Sequence, residues 1–247
     1  MSSVWLPCGD YHQNYHEDQG WWQSKFIKGK MILLLLIVFV GIPLFFDGYW
    51  ISVATMVGYT AMGALGVQLL IGYAGLLTLG HAAFIAVGAY TSTMLVLQFP
   101  WPQFMVEWGL SYPVSVIAAG VVAGLWSVLF GLPSVKVKGF YLILTTMAAQ
   151  FITVDFILTQ YVSQIGGRGQ AFSLPPGTIK IGPWVIDNEL SVYLVMAVLL
   201  TVMVIVLANL LRSKPGRAWV AIRDNDIAAE ALGINIIWYK LLAFFVA

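Results

Sequence analysis

The feature that most constrains this chain is a succession of apolar runs separated by short polar or glycine- and proline-rich breaks. A helix needs roughly 20 predominantly apolar residues to cross a hydrocarbon core about 30 Å thick. Such runs lie at 31–46, 50–71, 75–97, 112–133, 139–160 and 190–211. A seventh begins near Leu241 and is cut off at Ala247. Backbone N–H and C=O groups have no water partner in lipid, so spans of this kind must be helical. The expected fold is an all-α polytopic transmembrane bundle of six complete spans and a truncated seventh. Residues 1–30 form a polar N-terminal tail, and 31–247 form a membrane domain incomplete at its C-terminal end.

Composition supports this and removes other classes. Hydrophobic residues make up 60% of the 247, and charged residues only 9%. A soluble domain has no means of hiding that much apolar surface. A net charge of +1 without a basic, aromatic-interleaved cluster argues against a nucleic-acid partner. The single cysteine, Cys8, excludes an internal disulfide and a thiolate metal site. The tail carries Asp10, Glu17, Asp18 and three lysines before Met31. No small-residue cleavage site follows the first apolar run, so the tail is read as retained and leading into the first span. His12 and His16 stand four apart beside Glu17, yet two histidines without a rigid scaffold read as solvated tail residues, and no metal site is expected.

Charge distribution orients the bundle. With the N-terminus in the cytoplasm, Lys25, Lys28, Lys30, Lys136, Lys138, Arg212, Lys214, Arg217, Arg223 and Lys240 all fall inside. Only Arg168 and Lys180 then fall outside. The same orientation places Trp50, Trp101, Trp108 and Trp184 at the outer interface, where amphipathic rings sit among headgroups. The longer outer loop, 161–189, contains Gly166, Gly167, Arg168 and Gly169, then Pro175, Pro176 and Gly177. It reads equally as a binding loop or a connector.

Ionisable groups inside the spans are few. His81 lies in the third span and Asp155 toward the outer end of the fifth. Groups at that depth are costly and are functional candidates by default. No second carboxylate, nucleophile triad or metal-ligand spacing accompanies them, so no catalytic residue and no cofactor is expected. The more economical reading of His81 is a packing residue hydrogen-bonded to a neighbouring span. Gly72, Gly75 and Gly80 precede it in a run where a helix can break to line a translocation path, or where helices pack closely.

The most informative segment is the polar stretch 212–240, RSKPGRAWVAIRDNDIAAEALGINIIWYK. Asp224 to Asp226 read as a capping region, Ile227 to Leu232 as a short helix, and Gly233 as its stop. A small, alanine-rich helix with one acidic side chain, Glu230, suits docking in a partner's groove. Helices that rest on lipid headgroups favour basic residues and large apolar anchors instead.

Three blocks of this sequence resemble the permeases of branched-chain amino-acid ABC importers, in particular the M-type permease of the Leu/Ile/Val system. They are GYAGLLTLGHAAFIAVGAY at 72–90, VKVKGFYLILTTMA at 135–148 and GRAWVAIRDNDIAAEALGINIIWYKLLAF at 216–244. The resemblance implies a bacterial inner-membrane location and a heterodimer with a homologous H-type permease. It also implies two cytoplasmic ATP-binding subunits and a periplasmic substrate-binding protein. Ala228, Ala229, Glu230, Ala231, Leu232 and Gly233 would be the loop that couples to the ATPases. Related permeases carry urea, short amides or aromatic acids, so the resemblance leaves the substrate open. This chain contains no G-x-x-x-x-G-K-[ST] run, so ATP hydrolysis is expected on a separate chain. The alternative from another class is an ion-coupled secondary transporter, for which one His81 and one Asp155 are a poor set.

The orientation predicts the outcome of reporter fusions. A periplasm-dependent phosphatase joined after Lys30 or Lys214 should be inactive, and one joined after Trp108 active. The reverse pattern would invert the topology.

Overall fold

The computed structural model describes residues 25–135, 140–159, 179–181 and 184–247. The tail with Cys8, His12 and His16, the lysines at 136 and 138, and the glycine and proline turns at 165–177 lie outside the described residues. The chain forms a helical bundle suited to a membrane. It begins with α1 (Lys25–Leu36), a π-helical turn π1 (Ile37–Gly41), α2 (Ile42–Phe45), α3 (Gly48–Gln68) and π2 (Leu69–Tyr73). Next come α4 (His81–Gln98), α5 (Gln103–Glu107), α6 (Ser111–Val135), α7 (Phe140–Phe151) and π3 (Ile152–Leu158). Further along the chain follow α8 (Glu189–Arg212), α9 (Lys214–Asp224), α10 (Asp226–Ala231) and α11 (Ile236–Val246). Among the described residues the only strands are β1 (Lys180–Ile181) and β2 (Trp184–Val185), a short antiparallel pair.

Four helices are long and apolar enough to cross a bilayer: Gly48–Tyr73, His81–Gln98, Ser111–Pro133 and Glu189–Arg212. They coincide with the second, third, fourth and sixth expected spans. The first and fifth expected spans correspond to shorter apolar helices, Gly29–Phe45 and Tyr141–Asp155. The third span departs from the expectation at its start. Residues 74–80 are not helical, and α4 begins only at His81. The apolar run near Leu241 is the second half of a helix that begins at Ile236.

Only 22–28% of each spanning window is buried within the chain. The remaining apolar surface must therefore meet lipid or another membrane subunit rather than water. What the chain buries is concentrated in two places. In one, Ile51 of α3 packs with Tyr193, Met196 and Ala197 of α8, and Val38, Phe39 and Ile42 lean against them. Tyr193 Oη donates to the Val38 carbonyl in π1 at 2.8 Å. A π turn disrupts the helical hydrogen-bond ladder, and a hydroxyl from a neighbouring helix is an economical way to satisfy it in lipid.

The larger core lies at the end of the bundle that carries α9 and α10. Leu69, Leu70, Ala74, Leu76, Phe84, Leu142, Trp219, Ala243 and Phe244 meet there, bringing together π2, the 74–80 segment, α4, α7, α9 and α11. Trp219 is fully buried and its Nε1 donates to the Tyr239 carbonyl at 2.7 Å. α11 is seated on α6, where Ser127 Oγ donates to the Phe244 carbonyl at 2.6 Å and the Phe244 ring lies 3.1 Å from the place of a Cβ on Gly131. α9 turns off α8 at Ser213, with a proline in its first turn, where a missing N–H costs nothing. Its buried face is Gly216, Ala218, Trp219 and Ile222, so α9 lies on protein rather than on headgroups.

This core should be sensitive at its centre. Trp219→Ala is expected to destabilise the purified protein in detergent by about 3–5 kcal/mol, through the cavity it leaves. Trp219→Phe should cost about 1 kcal/mol for the lost hydrogen bond and a modest packing defect. Thermal and denaturant unfolding of the two variants against wild type measures both.

Candidate functional site

Between Ala74 and Gly80 the chain is not helical, and its burial alternates residue by residue. Ala74, Leu76, Thr78 and Gly80 are buried, and Gly75, Leu77 and Leu79 are exposed. Several backbone groups freed by the break find partners nearby. Leu76 N donates to the Leu70 carbonyl at 2.8 Å, Leu79 N to Thr146 Oγ1 at 3.2 Å and Gly80 N to Thr78 Oγ1 at 3.3 Å. Gly75 has φ +68°, a conformation that a side chain resists. A Cβ on Gly80 would fall on the carbonyl oxygen of Thr146 in α7, so this glycine permits backbone-to-backbone contact.

His81 opens α4 and is buried. Its ring meets Phe84 edge-on at 6.3 Å, and its Nε2 lies 2.7 Å from the place of a Cβ on Gly66 of α3. Among the described residues, His81 Nδ1 is the buried side-chain polar atom without a hydrogen-bond partner. The interhelical hydrogen bond expected of a packing histidine is therefore absent from Nδ1. Asp155 is exposed on π3. Thr146 abuts Gly80, and Asp155 lies nine residues further along the same helical segment, so roughly 13 Å of helix separates it from the level of His81. The two ionisable residues of the spans thus belong to different levels and form no joint site. No group of three or more potential metal ligands occurs among the described residues.

The second cluster is α10 and its flanks. Asn225, extended at φ −158°, caps the helix by accepting from Ile227 N and Ala228 N, each at 3.1 Å. Gly233 ends it at φ +83°, with its N–H on the Glu230 carbonyl at 2.9 Å. The helix runs Asp226–Ala231, one residue earlier than its sequence suggests. It holds to the body through Ala229, which is 2% exposed. Its other faces project: Ile227 is 75% and Leu232 80% exposed, and Ala228, Glu230 and Ala231 are exposed as well. A groove of about 570 Å³ runs beside it, lined by Asp226, Ile227, Glu230, Ile234, Ile237 and Lys240 among others.

The two clusters meet at Arg223, the penultimate residue of α9. Its Nη1 donates to the Gly72 carbonyl at 2.6 Å, so Gly72 and Gly75 are brought to the foot of α10. In the sequence Arg223 stood out only as one positive charge among ten. Thr146 and Arg223 carried no signal beyond polarity, because their partners Leu79 and Gly72 are 67 and 151 residues away.

The comparisons bear on the whole arrangement. The family model for the permease component of branched-chain amino acid transport systems matches residues 49–247. The chain belongs to this permease family. Among curated relatives, the high-affinity branched-chain amino acid transport system permease protein LivM of Salmonella typhimurium is 29% identical over 240 residues, covering 88% of this chain and 54% of the relative. The LivM protein of Escherichia coli is 28% identical with the same coverage. The chain therefore spans about half the length of the curated relatives it matches. No solved structure matches it significantly. The matched region contains the unwound segment, Arg223 and α10, whereas α1, π1 and α2 precede it.

Close approach at Gly80 gives a direct check on this geometry. Gly80→Ala must push the unwound segment off α7 and is expected to lower stability by about 1–3 kcal/mol. Gly120→Ala, which meets nothing within 4 Å, should leave stability unchanged or raise it by up to about 1 kcal/mol. Unfolding midpoints of the two variants in one detergent decide the matter.

Proposed function

We propose that this chain is a membrane-spanning permease subunit of an ATP-driven importer that carries branched-chain amino acids across the bacterial inner membrane. The observation that carries the reading is α10: a capped helix held by one buried alanine, with Ile227, Glu230 and Leu232 projecting, in a chain of the branched-chain amino-acid permease family. In this reading α10 docks on a cytoplasmic ATPase. Ile227 and Leu232 supply apolar contact, Glu230 supplies a charge for a basic partner, and Ala228 and Ala231 keep the knob narrow enough to enter a groove. Two such ATPases, a homologous H-type permease and a periplasmic binding protein complete the assembly. The largely unburied spans favour that arrangement, since a second permease would cover part of their apolar surface.

Transport follows as a rigid-body exchange between outward-open and inward-open states, driven by closure of the ATPases and delivered through α10. The chain's own contribution inside the membrane is the segment Gly72 to His81, with Gly72, Gly75, Gly80 and His81 as the candidate path. An unwound stretch at the start of a helix presents backbone N–H groups and a positive dipole end, which suit a substrate carboxylate. Asp155, exposed on π3, stands outside this group. Its separation from His81 also weighs against an ion-coupled carrier, which needs ionisable groups acting together.

The test is copurification. Full-length subunit co-expressed with its H-type partner and ATPase should retain the ATPase, and Glu230→Arg should lose most of it while the permease pair survives. An ATPase that binds wild type and Glu230→Arg equally would remove Glu230 from the interface, and an ATPase that binds neither would end the importer reading.

A further inference from the structure

α9 ends against the start of the unwound segment, and one side chain makes the join. The Arg223 guanidinium donates from Nη1 to the Gly72 carbonyl at 2.6 Å. From Nε and Nη2 it donates to Asp224 Oδ1 at 3.2 and 3.0 Å. Its stem occupies the place a Cβ would need on Gly75, 2.8 Å from Cγ and 3.3 Å from Cα. The positive φ and the closeness of Arg223 thus both require glycine at position 75. Two residues after Arg223, Asn225 caps α10. An unbroken series of bonds therefore runs from the end of π2 through Arg223 and Asp224 to the first turn of α10.

The local explanations of Arg223 are insufficient. An exposed ion pair between adjacent residues contributes little, and a cation near the C-terminus of α9 adds only a modest dipole term. The bond to Gly72 is different, because it satisfies a carbonyl at the point where helical bonding is given up, with the rigid fork that distinguishes arginine from lysine. A cavity of about 350 Å³, lined by Gly75, Leu76, Leu142, Arg223, Asp226 and Lys240, adjoins the contact. Packing there is incomplete, and the Arg223 bonds carry more of the connection.

We propose that Arg223 is a positioning residue that transmits displacement of α10 to the unwound segment Ala74–Gly80, and so to the start of α4. The inference rests on the reading of α10 as the ATPase-docking element and adds the route by which its motion enters the membrane. Movement of α10 pulls on Asn225 and Asp224, and the guanidinium hands that pull to Gly72 and Gly75. Without it, α10 would move while the unwound segment stayed in place.

The experiment uses the full importer complex reconstituted in lipid vesicles, with Cys8→Ser as background and Leu77→Cys as a reporter in the exposed face of the segment. Three readouts are taken: ATPase retained on the permease, substrate taken up per ATP hydrolysed, and maleimide labelling of the reporter with and without ATP. Arg223→Ala should retain the ATPase, lose about tenfold in uptake per ATP, the worth of one charge-assisted bond, and abolish the ATP-dependent change in labelling. Arg223→Lys keeps the charge and stem but not the fork, and should show the same loss in weaker form. It decides the matter if the alanine variant fails to assemble. Unchanged uptake per ATP and an intact labelling response in an assembled variant would overturn the proposal. Absence of ATPase from the wild-type complex would instead fail the docking reading, and this inference with it.

Discussion

In a bilayer a backbone amide or carbonyl that leaves a helix must be satisfied by the protein itself. The Ala74–Gly80 segment joins π2 to α4 without helical bonding, at the end of the bundle that carries α9 and α10, and α7, α9 and α11 pack around it. Thr146 of α7 accepts from the Leu79 N–H, Thr78 accepts from that of Gly80, and Arg223 of α9 donates to the Gly72 carbonyl. Ala74 and Leu76 place their side chains in the larger core beside Trp219 and Phe244. An element that cannot stabilise itself has drawn α7, α9 and α11 into contact around it.

That arrangement leaves α10 as the one helix of the loop that is held lightly. α9 is anchored by Trp219, and α11 by its seat on α6 through Ser127 and Gly131. Between them α10 is fixed by Ala229 and by its caps, and presents Ile227, Glu230 and Leu232 outward. A firmly held base with a projecting tip suits an element that receives motion from a partner. The chain belongs to the branched-chain amino-acid permease family, and its spans leave most of their apolar surface uncovered by the chain itself.

Much of the fold was legible. The helical character of the spans followed from hydropathy and from the exclusion of unsatisfied backbone in lipid. The short helix after Asn225, stopped by Gly233, followed from capping chemistry, with an error of one residue at its start because either Asp224, Asn225 or Asp226 is a competent cap. Gly72 and Gly75 marked a place where a helix can break, but not that the break would run on to Gly80. Ala74, Leu76, Leu77 and Leu79 are as apolar as any helical run, and hydropathy is blind to a break whose cost is met by residues far along the chain. His81 packs against α3 at Gly66 as a buried residue, and its Nδ1 makes no hydrogen bond.

The sequence by itself determined the class of the protein, the family it resembles and the position of the exposed short helix α10, because each depends on composition or on neighbours within a few residues. The separation of His81 from Asp155, the length of the non-helical path through 74–80 and the contact of Arg223 with Gly72 were decided only in three dimensions. Those features depend on contacts between residues 67 to 151 positions apart, and local chemistry carries no record of which distant group will supply a partner.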